Sequence, residues 1–259
     1  MRSAAFALFA LLAIFIPLSN VAVVRAEPPA VAGMPPAAPP ANAAKLDTHL
    51  AGWEKASAAW TNFAVEVKLT RKDGVRQKTQ EYSGSALCMT PTFARLRLEY
   101  TADPKDYEAF ICDGKAVYAY SGLSKTVTQH KLPDPKTDPN GATDNLVLDF
   151  LFGFKAKVLK DRFAVQFLGE DPDYVYLSIK PTQARDRQEF DELRLALHGP
   201  QTKTKAPYLP AQIIIAKPNG DSEDWKFTKP RIDNAGISAK DFQFVEVKGF
   251  TLQKAPRQP

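Results

Sequence analysis

Short stretches of alternating apolar and polar residues, separated by Asp-Gly and Asn-Gly pairs, constrain the fold of this chain more than any other feature. Residues 63–69 place Phe, Val and Leu on one face and polar side chains on the other, which is the period of a half-buried strand. The pairs Asp73-Gly74, Asp113-Gly114 and Asn219-Gly220 are typical of hairpin turns, because Gly adopts a positive φ without strain. Consecutive strands joined by short turns predict an antiparallel sheet.

The same pattern extends along most of the chain. Further strands are predicted at 76–89, 93–100, 107–112, 116–120, 125–132, 163–168, 174–180, 189–197, 209–217, 222–229 and 241–247. Helical spacing of apolar residues predicts a helix from Leu46 to Trp60, and Asp144 is a suitable N-cap for an almost wholly apolar helix at 145–154, with a short helix at 155–161 to follow. About eleven strands in roughly 200 residues favour a barrel, half-barrel or sandwich. One curved sheet, an unclosed antiparallel barrel with both apolar helices on its concave face, fits this order best.

The first 26 residues have the organisation of a secretory signal peptide. A short basic start precedes an almost wholly apolar stretch, Ala4–Leu18, and Val24-Arg25-Ala26 fits a cleavage site. An uncleaved membrane anchor is the alternative, but Pro17 and the short apolar run favour cleavage. We therefore expect a protein that is exported to the periplasm or secreted.

The remaining chain divides into three parts by composition. Residues 27–44 are rich in Pro and Ala, which predicts an extended spacer, or alternatively a ligand for a Pro-binding domain. The patterned sequence from 45 to 250 predicts one β domain, and residues 251–259 are predicted to form a polar tail.

Few residues in the chain suggest catalytic or metal-binding chemistry. There are 3 His and 2 Cys, without C-x-x-C or H-E-x-x-H spacing, which excludes the usual zinc motifs. His49, His130 and His198 have no motif around them and are expected to be surface or structural residues. No nucleophile elbow, phosphate-binding loop or dinucleotide fingerprint occurs in the sequence. We therefore expect a protein that is not an enzyme and that uses no metal or other cofactor.

Charge and aromatic content indicate the class of partner. Two of the five net positive charges lie in the predicted signal peptide, and the rest are spread over alternating outward positions among acids. No basic run lies beside a set of aromatic residues, so a nucleic-acid partner is not expected. Phe is abundant, with 16 residues against 8 Tyr and 3 Trp. An inner face of this kind either leaves an apolar cavity or forms a filled core, and the pattern alone favours neither.

Two cysteines lie in the predicted β domain. Because the chain is expected to be exported, a disulfide between Cys88 and Cys112 is chemically allowed. In a simple meander another strand would separate theirs, at a distance greater than a disulfide spans. Two buried free thiols are therefore the alternative.

Several segments, taken in order, form a distinctive series. They are the helix Leu46–Trp60 leading into Phe63-x-Val65-x-Val67, the strand–Pro–strand segment at 86–93, the Asp-Gly-Lys–aromatic segment at 111–120, Leu209–Ile213 followed by Asn219-Gly220, and Phe242-x-Phe244. Together they resemble the periplasmic outer-membrane lipoprotein carrier (LolA/LolB-like) superfamily, and still more an uncharacterised group of exported bacterial proteins related to it. The likeness covers about residues 45–250.

The resemblance implies both a fold and a ligand. Family members are unclosed antiparallel barrels with helices as a lid, and they hold lipoprotein acyl chains between sheet and lid. This implies a non-catalytic envelope protein that binds a lipid or lipoprotein acyl chain in an apolar cavity, and we expect the protein to be a monomer. The alternative is a periplasmic sensor or protein-interaction module on the same fold, with a filled core and an envelope protein as partner. The carrier has an Arg directly before the Pro that starts its third strand, where it helps to hold the lid, whereas this chain has Thr90 there.

The candidate binding residues are apolar side chains expected on the inner face of the sheet and on the lid. The inner-face candidates are Leu96, Leu98, Phe110, Tyr118, Tyr120, Leu177, Ile179, Leu195, Ile213 and Ile215. The lid candidates are Phe150, Leu151 and Phe154. A shift of one residue would turn any strand's candidates to the outer face, because successive side chains alternate between faces.

Overall fold

The structure, a computed structural model, describes residues 43–89, 92–132, 147, 150–151, 155–203, 206–234 and 236–255. Its strands are β1 Asn62–Lys72, β2 Thr79–Met89, β3 Phe93–Tyr100, β4 Asp103–Asp113, β5 Ala116–Ser121, β6 Thr126–Lys131, β7 Phe163–Glu170, β8 Tyr174–Pro181, β9 Glu192–His198, β10 Pro210–Ala216, β11 Ser222–Ile232 and β12 Thr251–Lys254. The helices are α1 Ala43–Ala59, α2 Ala156–Arg162 and α3 Ala184–Arg187, with a 3₁₀ helix at Ala239–Phe242. The predicted signal peptide lies outside the described residues, as does the spacer up to residue 42.

All twelve strands belong to one sheet, in the order β12-β6-β5-β4-β3-β2-β1-β11-β10-β9-β8-β7. The chain enters the middle of the sheet at β1 and builds outward to β6. It then starts again at the far edge with β7 and returns to lie beside β1. Neighbouring strands are antiparallel except β12, which pairs in parallel with β6. Within the described residues β7 and β12 do not pair with each other, so the sheet is unclosed, and the predicted fold class is confirmed.

The alternation predicted for the first strand is present in β1. Val67 and Leu69 are buried, while Glu66 and Lys68 between them are exposed. The turn that follows is longer than expected, because β2 begins only at Thr79 and the connection spans residues 73–78.

The β1–β2 turn is held against the β10–β11 turn. The backbone N–H of Gly74 donates to Asp221 Oδ1 at 2.8 Å. A Cβ atom on Gly74 would lie 2.2 Å from the carbonyl oxygen of Gly220, so only Gly allows this approach. These two turns therefore meet at one end of the sheet.

The C-terminal part of the chain differs from the prediction. Residues 241–247 do not form a strand. Instead, Ser238 and Asp241 form a capping box, in which Asp241 Oδ2 accepts the Ser238 N–H at 2.8 Å, and this local bonding starts the 3₁₀ helix. Residues predicted as the polar tail contain β12, so the sheet extends to Lys254.

Two apolar clusters lie on opposite faces of the sheet. The larger contains residues from α1, α2, β1–β4 and β7–β11. The smaller contains Ala109, Ile111, Tyr120 and Val127 beneath the C-terminal segment 244–250. The face under α1 is the concave face of the sheet, and the C-terminal segment covers part of the other, outer face.

Contacts with α2 and β7 hold α1 on the concave face. Glu54 of α1 accepts the backbone N–H of Ala156 at 3.0 Å, which satisfies a donor at the start of α2. Near the other end of α1, Lys45 donates to Glu170 at the end of β7 at 2.9 Å. In the part of the chain that the structure describes, no helix is both long and apolar enough to span a membrane.

Candidate functional site

A continuous row of apolar and aromatic side chains crosses the concave face. In an antiparallel sheet, residues paired across neighbouring strands lie on the same face, so the row can be followed from register. From β7 to β3 it consists of Phe167, Leu177, Leu195, Ile213, Trp225, Leu69, Tyr82 and Tyr100. All of them belong to the larger apolar cluster or pack against it. This face therefore carries a continuous row of apolar and aromatic side chains across eight strands.

Eight of the ten inner-face candidates lie on this concave face. Seven are buried in the larger cluster and one, Phe110, is partly buried against it; the seven are Leu96, Leu98, Leu177, Ile179, Leu195, Ile213 and Ile215. The fold thus brings together residues that are up to 119 positions apart in the chain, from Leu96 to Ile215. A role for them in binding a ligand stays a prediction.

The other two candidates, Tyr118 and Tyr120, lie on the outer face, so the prediction for β5 was wrong by one residue. Phe110 pairs with Ala119, whereas Tyr118 pairs with Ile111. The Tyr120 hydroxyl donates to the carbonyl oxygen of Val245 at 2.9 Å. Because the C-terminal segment covers this part of the outer face, both faces of β5 are apolar, and alternation alone cannot tell them apart.

The lid candidates that the structure describes are buried. Val147, Phe150 and Leu151 are helical, and their i, i+3, i+4 spacing places them on one side of a helix. Phe150 and Leu151 are both 0% exposed and belong to the larger cluster. We refer to Val147, Phe150 and Leu151 as the lid residues. The third lid candidate, Phe154, lies outside the described residues.

Trp53 of α1 contacts the lid residue Phe150. Its ring stacks on Phe150 with a centroid distance of 6.3 Å, and Phe150 packs against Phe163 of β7 at the same distance. Trp53 is 1% exposed, and its indole Nε1 has no hydrogen-bond acceptor among the described residues. Burying such a donor without a partner costs about 1–3 kcal/mol. The sequence placed Trp53 on the apolar face of the helix but did not identify it as a polar group inside the site.

A charged cluster interrupts the apolar surface at the end of the sheet where the two turns meet. Arg71 is in phase with Val67 and Leu69, so it lies on the concave face. Its Nη1 and Nη2 donate to the two carboxylate oxygens of Glu108 at 2.6 and 2.9 Å. Two strands lie between β1 and β4, and Arg71 crosses them above Tyr82, with its guanidinium carbon 4.9 Å from the ring centroid.

Glu223 joins the same cluster. It accepts hydrogen bonds from Lys217 at 2.7 Å and from Trp225 Nε1 at 2.9 Å, and it lies 3.5 Å from Arg71 Nε. Burial works to raise the pKa of Glu223, but the hydrogen bond from Lys217 and the nearby positive charges outweigh it and lower the pKa. For Arg71, burial opposes the charge, yet the bonds to Glu108 raise the pKa above its ordinary value. Both groups are therefore held in their charged forms.

Sequence reasoning missed this cluster, although one signal was present. The position two residues after Leu69 carries Arg71, which breaks the apolar side of the alternation. Such a residue on an inner face requires a partner, because an unpaired charge there is costly. The identity of that partner, Glu108, depends on long-range strand order and could not be read from the pattern.

Two of the three histidines are buried structural residues. His49 of α1 stacks on Phe167 at 5.4 Å, with Nε2 3.0 Å from Glu170 and Nδ1 3.4 Å from the Tyr208 hydroxyl. These contacts attach α1 to β7 and to the segment before β10. His198 is also buried, and burial lowers its pKa.

Cys88 and Cys112 are free thiols in this structure, so the disulfide considered from the sequence is not formed. Cys88 pairs with Ala94 of β3, and Ala94 pairs in turn with Cys112, which places the two thiols on the same face with one strand between them. The Cys112 thiol donates to the carbonyl oxygen of Thr92 at 2.9 Å. Burial raises the pKa of both thiols, so both are held in the protonated form.

An open surface cleft of about 490 Å³ lies between α1 and α2. Its lining residues are Asp47, Leu50, Ala156, Lys157, Lys160 and Asp161. None of the predicted binding residues lines it. Among the residues that the structure describes, no group of three or more His, Cys, Asp or Glu side chains is placed to hold a metal ion.

Comparison with known proteins gives matches of fold only. No family model and no curated protein matches the chain. Among solved structures, it is similar to a DUF1329 family protein from Desulfovibrio piger, with 11% identity over 77% of this chain and 96% of that one, at a TM-score of 0.43. It is also similar to a LolA superfamily protein from Nitrosomonas europaea, with 10% identity over 76% and 97% of the two chains, at a TM-score of 0.39.

A third similar structure is the lipoprotein LppX of Mycobacterium tuberculosis. It shares 10% identity over 76% of this chain and 99% of that one, at a TM-score of 0.35. The carrier superfamily that the sequence resembles is thus represented among these structures. At such identities the likeness concerns the fold and does not identify a ligand.

Proposed function

We propose that this protein is an exported envelope protein that binds the acyl chain of a lipid or lipoprotein on the concave face of its sheet, without catalysis. The observation that carries the proposal is the apolar row across eight strands, which is covered by helical residues rather than by a second sheet. A cover of this kind can move without breaking strand pairing. The bound chain would take the place of the lid residues.

The free energies of burial are compatible with such an exchange. An acyl chain that buries about 14 methylene groups gains roughly 11 kcal/mol, at about 0.8 kcal/mol for each group. Returning the side chains of Val147, Phe150 and Leu151 to water costs roughly 1.5–3 kcal/mol each, or about 5–9 kcal/mol together. A long acyl chain can therefore displace the lid residues, whereas a short one cannot.

Lipid analysis of the purified protein tests the proposal. The protein is isolated from the envelope fraction of a lipid-containing source, and native mass spectrometry is combined with lipid extraction. We expect a bound acyl species, and uptake of a fluorescent long-chain fatty acid by the delipidated protein. The proposal is wrong if no acyl species co-purifies and no fatty acid is taken up.

A second function, that of a sensor or protein-interaction module with a filled core, is favoured by one observation. Phe150 and Leu151 are fully buried, so the concave face is already occupied by the chain itself. In that case a pull-down from envelope extract would recover a stoichiometric protein partner. Recovery of lipid without protein would count against this alternative.

A further inference from the structure

We infer that the ligand carries an acyl carbonyl group, in an ester or amide, and that the indole N–H of Trp53 donates a hydrogen bond to it. This inference rests on the proposed function and specifies the chemistry of the same site. The remaining apolar face would hold the hydrocarbon chain. Trp53 would thus fix where along that face the carbonyl end of the ligand lies.

The first support is the unsatisfied donor. Buried polar groups in folded proteins nearly always have a partner, and a buried donor without one calls for an explanation. Trp53 is 1% exposed, yet its Nε1 has no acceptor in the part of the chain that the structure describes. Trp225, also on the concave face, shows the usual situation, because its Nε1 donates to Glu223 at 2.9 Å.

The second support is the position of Trp53. It lies on the buried side of α1 together with Leu50, and its ring stacks on Phe150. Phe150 is one of the lid residues that an acyl chain would displace. When Phe150 leaves, the volume beside the Trp53 ring is open to the ligand, while the ring stays attached to α1.

The third support is the chemistry of the surroundings. Trp53 and Phe150 both belong to the larger apolar cluster, and among the described residues no acceptor pairs with the indole N–H. A plain hydrocarbon would leave the indole N–H unsatisfied, whereas a carbonyl oxygen would accept from it. The site should therefore discriminate between chains of equal length that differ only in the carbonyl.

Three probes of matched length test this discrimination. Methyl palmitate has an ester and N-methylpalmitamide has an amide, whereas hexadecyl methyl sulfide has no carbonyl and its thioether sulfur is only a weak acceptor. Each competes against a fluorescent fatty acid for the delipidated protein. We expect the ester or the amide to bind about three- to tenfold more tightly than the thioether, which corresponds to one neutral hydrogen bond. Whichever carbonyl probe binds more tightly identifies the source of the carbonyl group.

Variants assign the preference to Trp53. In Trp53→Phe the carbonyl probes should lose their advantage over the thioether. Trp60→Phe removes the indole of another buried Trp, beyond the end of α1, and should keep the wild-type ratio. Thermal melting of each variant checks that it is folded.

A spectroscopic measurement on the wild-type protein avoids dependence on variant folding. In a ¹⁵N–¹H spectrum of the indole groups, the Trp53 cross-peak should shift with methyl palmitate and differ from its position with the thioether. The N–H of Trp225 already donates to Glu223, so its cross-peak should take the same position with the ester and with the thioether. Equal affinities for all three probes, with no Trp53 shift, would overturn the inference and leave acyl-chain binding intact. If none of the probes binds, the proposed function and the inference both fail.

Discussion

Replacement of Phe150 by Ala separates a displaceable lid from a permanently filled core. Phe150 is 0% exposed and packs between Trp53 and Phe163. Truncating a buried Phe to Ala destabilises a protein by about 3–5 kcal/mol, because contacts are lost and a cavity remains. Both models of the core predict this loss of stability, so stability alone does not distinguish them.

The two models differ in the effect on ligand affinity. If the acyl chain must displace Phe150, the substitution removes roughly 1.5–3 kcal/mol from the cost of binding, which tightens binding by about 10- to 150-fold. If the core is permanently filled, the variant is less stable and shows no specific gain. Equilibrium urea unfolding gives the stability, and titration with a fluorescent long-chain fatty acid gives the dissociation constant.

A matched control is available in Phe190→Ala. Phe190 is 1% exposed and packs on Phe163 at 6.0 Å, but it is not a lid residue. It should lose a similar amount of stability without any gain in affinity. An unchanged or weakened fatty-acid affinity in Phe150→Ala, or an equal gain in Phe190→Ala, would refute the displacement argument.

Three further expectations concern the charged cluster and the thiols. A double-mutant cycle with Arg71→Gln and Glu108→Gln should give a coupling energy of about 1 kcal/mol in urea unfolding, because the ion pair is bidentate but partly exposed. A coupling energy near zero would show that the ion pair between β1 and β4 is not formed in solution. The folded-state pKa of Glu223 lies below its ordinary value of 4.5, so the ionised side chain stabilises the fold above pH 4.5 and this contribution is lost as the pH falls through the folded-state pKa. Glu223→Gln should therefore make the free energy of unfolding fall less steeply with decreasing pH. An unchanged slope would contradict this assignment. Cys88 and Cys112 should resist a thiol reagent at neutral pH in the folded protein and react as two thiols after unfolding without reductant; recovery of no thiols would indicate a disulfide.

Local patterns in the sequence were sufficient for most of the architecture. The period of two in residues 63–69 corresponds to β1, and the helical spacing from Leu46 to Trp60 corresponds to α1. Asp113-Gly114 is a tight turn as predicted, with Gly114 at φ +83° and Asp113 Oδ1 accepting two backbone N–H groups. These features depend on neighbouring residues, which is why they can be read from the chain.

The features that were missed depend on distant parts of the chain. Tyr118 and Tyr120 lie on the outer face, where residues 244–250 cover them, and nothing near β5 in sequence signals that cover. The parallel pairing of β12 with β6 joins segments 125 residues apart, Thr126 and Thr251. The partners of Arg71 are likewise set by strand order. Alternation indicates that a residue faces inward or outward, but only the assembled sheet identifies what lies opposite.

Photo-crosslinking with a diazirine-labelled palmitate tests the central claim most directly. The delipidated protein is irradiated with the probe, and the modified peptides are mapped by mass spectrometry. We expect adducts at inward-facing positions such as Leu98, Leu177 and Ile213, and we expect unlabelled palmitate to reduce their yield. Adducts confined to the outer face around Tyr118 and Tyr120, or no specific adduct at all, would contradict it.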